Sequence, residues 1–158
     1  MSDTPTGLKA RMQSDLTEAI RSRDELTAAT LRMALTAVRS EEVAGTSARE
    51  LSEDEVVTVL GREVKKRREA ATAFADAGRA ESAERERGEL AVLQTYLPAQ
   101  LSDEDLAAIV AEAVAAVAAE GATGMAAMGK VMKAVQPKVA GQAEGGRVAA
   151  LVRAALAG

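Results

Sequence analysis

Apolar residues along this chain return at steps of three and four, which is the period of helices with one buried face. Leu8, Met12, Leu16, Ala19 and Ile20 form the first such stripe, and Leu31, Ala34, Leu35 and Val38 the second, which Asp24 is placed to cap. A turn at Gly45-Thr46-Ser47 follows. Ser52-Glu53-Asp54-Glu55 then fits a capping box, in which the serine accepts a backbone N–H and Glu55 reaches back. The third stripe carries Val56, Val59, Leu60, Val64 and Phe74 and is expected to stop near Gly78; a fourth helix, about 81–95, buries Leu90 and Leu93.

Tyr96-Leu97-Pro98 breaks the rhythm. A residue before proline disfavours the helical region and Pro98 has no N–H to give, so the boundary is placed there. Beyond it, Ser102 followed by Asp103, Glu104 and Asp105 opens a helix to about Ala119, with Gly121 as terminator. A short helix over 125–135 is expected to end before Pro137, and a last one over 147–157 carries Val148, Leu151, Val152 and Ala155. No alternating pattern competes. The prediction is an all-α protein: a four-helix N-terminal subdomain over 1–97 and a small three-helix subdomain over 98–158.

Composition sharpens this picture. Hydrophobic residues make up 47% of the chain but aromatic ones only 1%, Phe74 and Tyr96, so Ala, Val, Leu, Ile and Met must build the core. The chain has neither cysteine nor histidine. That excludes disulfides, thiolate nucleophiles, Cys/His zinc sites and any triad that needs imidazole. No catalytic residue, metal ligand or cofactor site is expected. The start of the chain, MSDTPTGLKARMQ, lacks the apolar run of an export signal, and 106–119 is too short and too interrupted to cross a bilayer. A cytoplasmic location and no membrane partner are therefore expected.

The net charge of −4 argues against a generally basic coat for nucleic acid, but its distribution is uneven. Residues 99–120 hold five acids and no base; residues 121–158 hold five bases, Lys130, Lys133, Lys138, Arg147 and Arg153, against the single acid Glu144. Gly129 beside Lys130, Gly141 after Lys138 and Gly146 beside Arg147 either make tight turns or let backbone approach a phosphate. Gly129-Lys130 alone is no P-loop. Lys65-Lys66-Arg67-Arg68, the densest basic run, reads either as a solvated face with local ion pairs or as a phosphate-binding patch. Arg79, beside the helix break, either caps a carbonyl or faces a groove. Met125, Met128 and Met132 at helical spacing read as core filler or as a partner groove. With almost no aromatic side chain to stack on bases, only shape and backbone recognition of RNA remain.

Three stretches resemble the YqeY family. They are Leu31-Arg32-Met33-Ala34-Leu35 with Ala37-Val38; Glu63-Val64-Lys65-Lys66-Arg67-Arg68-Glu69 with Phe74, Gly78-Arg79, Glu86, Glu89-Leu90 and Tyr96-Leu97-Pro98; and Met128-Gly129-Lys130-Val131-Met132 with Pro137-Lys138 and Gly141. The resemblance implies a C-terminal part related to the tail domain of the B subunit of the tRNA-dependent amidotransferase, which helps to hold the tRNA body. Where the family tends to read Gly-Arg-Ala-Asp-Gly, this chain has Gly141-Gln142-Ala143-Glu144-Gly145, one positive charge fewer. The family also carries the label of a carbon-nitrogen ligase with glutamine as amido donor, a label inherited from the larger enzyme. The expectation is an accessory tRNA- or structured-RNA-binding protein. Its candidate contacts are Lys130, Lys133, Lys138 and Arg147, with Lys65, Lys66, Arg67, Arg68 and Arg79 as a second surface. The alternative is an adaptor that docks on an amidotransferase or an aminoacyl-tRNA synthetase.

Overall fold

The computed structural model describes residues 7–158. Residues 1–6, the first part of the stretch read above as lacking an export signal, lie outside the described residues. The protein is all-helical, with no strand among the described residues. Helices α1 (Leu8–Arg21), α2 (Glu25–Glu42), α3 (Glu53–Asp76) and α4 (Ala80–Gln94) precede Pro98. Helix α5 (Asp103–Ala119), a 3₁₀ turn (Met125–Ala127), α6 (Met128–Val139) and α7 (Gly145–Ala157) follow it. The chain divides into two compact units between Leu97 and Pro98.

In the N-terminal unit, the apolar stripes of all four helices meet in one core around Met12, Leu31, Val38, Leu60 and Leu93. Two tight reversals bring them together, and both use the same hydrogen-bond pattern. After α3, Gly78 N–H donates to Ala75 O at 3.0 Å and Arg79 N–H to Phe74 O at 2.8 Å. After α1, Arg23 N–H donates to Ile20 O at 3.2 Å and Asp24 N–H to Ala19 O at 2.9 Å. This pattern closes a helix through one left-handed residue, normally glycine. Gly78 takes it at φ 75°, but Arg23 takes it at φ 61° and bears the steric penalty of its Cβ.

The predicted caps form. Asp24 accepts from Thr27 N–H, Ser52 from Glu55 N–H and Ser102 from Asp105 N–H. The capping box is only half made, however. The Glu55 carboxylate does not reach back to the Ser52 N–H; it is taken by the guanidinium of Arg49, with Ser52 Oγ 3.2 Å away. Helix α1 has no cap of its own, and its first N–H is satisfied from far along the chain. Leu8 N–H donates to both carboxylate oxygens of Glu53, at 2.9 and 3.0 Å. Nearby, buried Glu42 accepts from Lys9 Nζ at 2.8 Å and from Leu51 N–H at 3.3 Å, which ties α1 and the α2–α3 connection to the end of α2. Tyr96 packs into the same core while its hydroxyl donates to Asp15, and the Arg11 guanidinium lies 4.7 Å from its ring centroid. Burial, reinforced by the Asp15 carboxylate, pushes the phenol above its ordinary value.

The C-terminal unit has a finer-grained core: Leu106, Val110, Ala113 and Val117 of α5 pack with Val131, Val135 and Val139 of α6 and Val148 and Val152 of α7. Seven of its ten buried residues are valine, whose single preferred rotamer in a helix keeps the packing defined despite small side chains. Ala155, expected in the last stripe, is exposed, as is Ile20 in the first; each lies near a helix end, where the partner helices no longer cover it. The helix predicted to end before Pro137 runs on to Val139, with Pro137 inside its last turn. Proline there forfeits only the bond to the Lys133 carbonyl, and continuing the helix one half-turn buries Val139. The segment entering α5 is stitched to the loop before α7: Leu101 N–H donates to Gln142 O at 2.8 Å, and Gln142 Nε2 to Ala99 O at 3.3 Å.

Candidate nucleic-acid interface

Helix α6 presents the three lysines predicted for the C-terminal surface. Lys130, Lys133 and Lys138 are exposed, and none of them has a hydrogen-bond or ion-pair partner among the described residues. At 1.5 Å of rise per residue, the first and last stand about 12 Å apart along the axis. Their angular positions span about 140°, away from the face that buries Val131, Val135 and Val139. The helix contains no acid at all, so nothing on it offsets these charges.

Arg147 has a different situation. Its guanidinium binds Asp103 Oδ1 at 2.9 Å through Nε and the Leu101 carbonyl at 3.0 Å through Nη2. It fastens the start of α7 to the start of α5, and is half-buried in doing so. Gln142 serves the same seam. Arg153, which the sequence reading counted only toward the charge balance, lies exposed on α7 without a partner among the described residues.

The second predicted surface comes apart. Lys65, Lys66 and Arg68 are exposed on α3, but Arg67 is only 3% exposed. Its Nη1 donates to Glu63 Oε2 at 2.8 Å and to the Glu63 carbonyl at 3.1 Å, and its Nε to Glu89 Oε2 at 3.3 Å. Both glutamates are buried as well. At the rim, Lys66 adds a bond to Glu63 at 3.0 Å and Arg85 one to Glu89 at 3.4 Å. Burial alone would push the Glu63 carboxyl up; the bonds and charges of Arg67 and Lys66 outweigh it and hold the group below the ordinary carboxylate value. Arg67 is thus a buried strut joining α3 to α4 and cannot reach a phosphate. Lys65 and Arg68 are each already engaged within the chain. Arg79 is exposed and stacks over the Phe74 ring, 5.0 Å from its centroid, rather than capping a carbonyl with its side chain.

The signal for Arg67 was present in the spacing. The stripe Val56, Leu60, Glu63, Arg67, Ala71 keeps its steps of three and four straight through the two charged residues, which places them on the buried face. Among the described residues, no three acids group in a way that could hold a metal ion. Among the described residues, no buried side-chain nitrogen or oxygen is left without a partner. A family model described as "Yqey-like protein" matches residues 9–156. The chain belongs to the YqeY-like family. That match runs unbroken across the Leu97–Pro98 junction, so both units are parts of the YqeY-like sequence. None of the curated proteins matches this YqeY-like chain.

Proposed function

We propose that this YqeY-like protein is an accessory holder of structured RNA, tRNA above all, gripping the phosphate backbone through Lys130, Lys133 and Lys138. The observation that carries this reading is the set of three exposed lysines on one acid-free helix, with no carboxylate spent on them among the described residues. Cations held in internal pairs gain little from a phosphate, because they must first give up a partner; these three give up only water. The near absence of aromatic residues supports backbone contact over base stacking. The resemblance of the C-terminal part to a tRNA-holding tail domain supports it too. Arg147 contributes by setting the start of α7, and Lys65, Lys66, Arg68 and Arg79 offer a weaker second contact.

Titration of labelled tRNA at low and moderate salt tests the reading. Binding is expected at low salt, weakening with a log–log slope of roughly 0.7–0.9 per phosphate neutralised. The change Lys130→Glu with Lys133→Glu should weaken binding and flatten that slope by about two. No binding at low salt, or indifference to those two changes, overturns the proposal. A protein partner retained after ribonuclease treatment would favour the adaptor role, and ammonia release from glutamine by the purified chain would favour amide transfer.

A further inference from the structure

The buried guanidinium of Arg67 has one partner that is neither charged nor strong. Its Nη2 points to the thioether sulfur of Met33 on α2, 3.8 Å away. Nη1 and Nε face Glu63 and Glu89, so Met33 closes the remaining side of the charged cluster. A thioether is a weak acceptor, and this contact is long. Met33 is also 53% exposed, although it touches a group that is nearly sealed. An apolar side chain therefore lies half in water with its sulfur turned toward a buried cation.

We propose that Met33 is a site of reversible oxidation by hydrogen peroxide or related two-electron oxidants, and that its sulfoxide is held by Arg67. The step balances simply: a sulfur lone pair attacks one peroxide oxygen, the O–O bond breaks, the S–O bond forms, and the second oxygen takes the proton of the first and leaves as water. Sulfur is oxidised by two electrons and the peroxide is reduced by two. The chain has no cysteine to intercept the oxidant, so its six methionines are its only oxidisable sulfur. Met12 is fully buried and Met128 and Met132 half-buried; among the described methionines only Met33 and Met125 are exposed. These two differ in what receives the product. Met125 has no donor against its sulfur among the described residues, whereas an oxygen added to Met33 stands between sulfur and Nη2. The long contact becomes a charge-assisted bond of about 2.7–2.9 Å, and the three torsions of methionine let the oxygen find that position. Oxidation at most exposed methionines is neutral or harmful; here it strengthens the seam between α2 and α3.

The test uses the full chain carrying Met125→Leu, treated with hydrogen peroxide under native conditions and then mapped by peptide mass spectrometry. Met33 should gain one oxygen before Met12, Met128 or Met132, and a methionine sulfoxide reductase should remove it. The melting temperature of the N-terminal unit should rise on oxidation by up to about 4–8 °C, the shift expected for one such bond in a unit of this size. The same treatment of the double variant Met33→Leu with Met125→Leu should leave the melting temperature unchanged. Met33→Gln, which supplies a carbonyl acceptor without oxidation, should melt above Met33→Leu. A fall in melting temperature on oxidation of Met33, or its survival while the half-buried methionines react, overturns the proposal.

Discussion

Replacing Arg67 by methionine would show how far the N-terminal unit depends on its buried charges. The substitution keeps the length of the apolar stem, so little cavity opens and the change is chiefly electrostatic. It leaves Glu63 and Glu89, whose side chains are 10% and 8% exposed, without the cation both accept from. Breaking a buried ion pair from one side costs about 3–5 kcal/mol. Lys66 remains 3.0 Å from Glu63 and Arg85 remains 3.4 Å from Glu89, which places the expected loss near about 3 kcal/mol. Against the roughly 5–15 kcal/mol available to a domain of this size, that is a severe defect. Urea unfolding followed by far-ultraviolet circular dichroism measures it. The loss should also depend on pH. In the parent protein the Glu63 carboxyl is held below its ordinary value, so its contribution is complete at neutral pH and fades as pH falls through that lowered value. In the variant the Glu63 carboxyl stays buried without its main cation, so the desolvation that raises it is no longer outweighed and the variant weakens as pH rises. The gap should therefore widen between about pH 4 and pH 7. Adding Glu63→Leu and Glu89→Leu should restore most of the stability, since an apolar trio leaves no charge stranded. A loss under about 1 kcal/mol, or one unchanged with pH, refutes the strut reading.

Three further outcomes follow from the local chemistry. Arg23→Gly relieves a left-handed residue that Gly78 shows glycine can occupy, and should raise stability by about 0.5–1 kcal/mol in the same urea assay. Ser102→Ala removes the acceptor for Asp105 N–H and should cost the C-terminal unit about 1 kcal/mol, read as a lowered denaturation midpoint. On acidification, helicity should hold down to about pH 4 and fall below it. The reason is that the bond from Lys9 to Glu42 and the bond from Arg49 to Glu55 hold those carboxyls below their ordinary values; the stability they supply is complete above the unfolded value and lost as pH drops through the lowered ones. A circular dichroism titration that stays flat to much lower pH would contradict this.

What could be read from the residue order was what neighbours decide. The Asp24, Ser52 and Ser102 caps act within three residues, and the stop at Gly78 depends on a single backbone conformation, so each was visible in a short window. What was misread or left unread depends on partners outside that window. Glu55 met Arg49 before it could complete its box, and α1 took its cap from Glu53, 45 residues on. Pro137 stayed helical because burial of Val139 outweighs one forfeited bond. The basic run on α3 was open to two readings, a solvated face or a phosphate-binding patch, because charge alone says nothing about which side of a helix is covered. Glu89, 22 residues beyond Arg67, turns one member of that run inward. The exposure of the α6 lysines was legible for the opposite reason: no acid stands near them on their helix.

The placement of the two aromatic rings has an optical consequence. Phe74 and Tyr96 both belong to the N-terminal unit, and the chain has no tryptophan, so residues beyond Leu97 are dark in the near ultraviolet. Tyrosine emission reports one half of the molecule and backbone dichroism reports both. A single unlabelled sample, melted once with the two signals recorded together, distinguishes the loosening of one unit from that of the other.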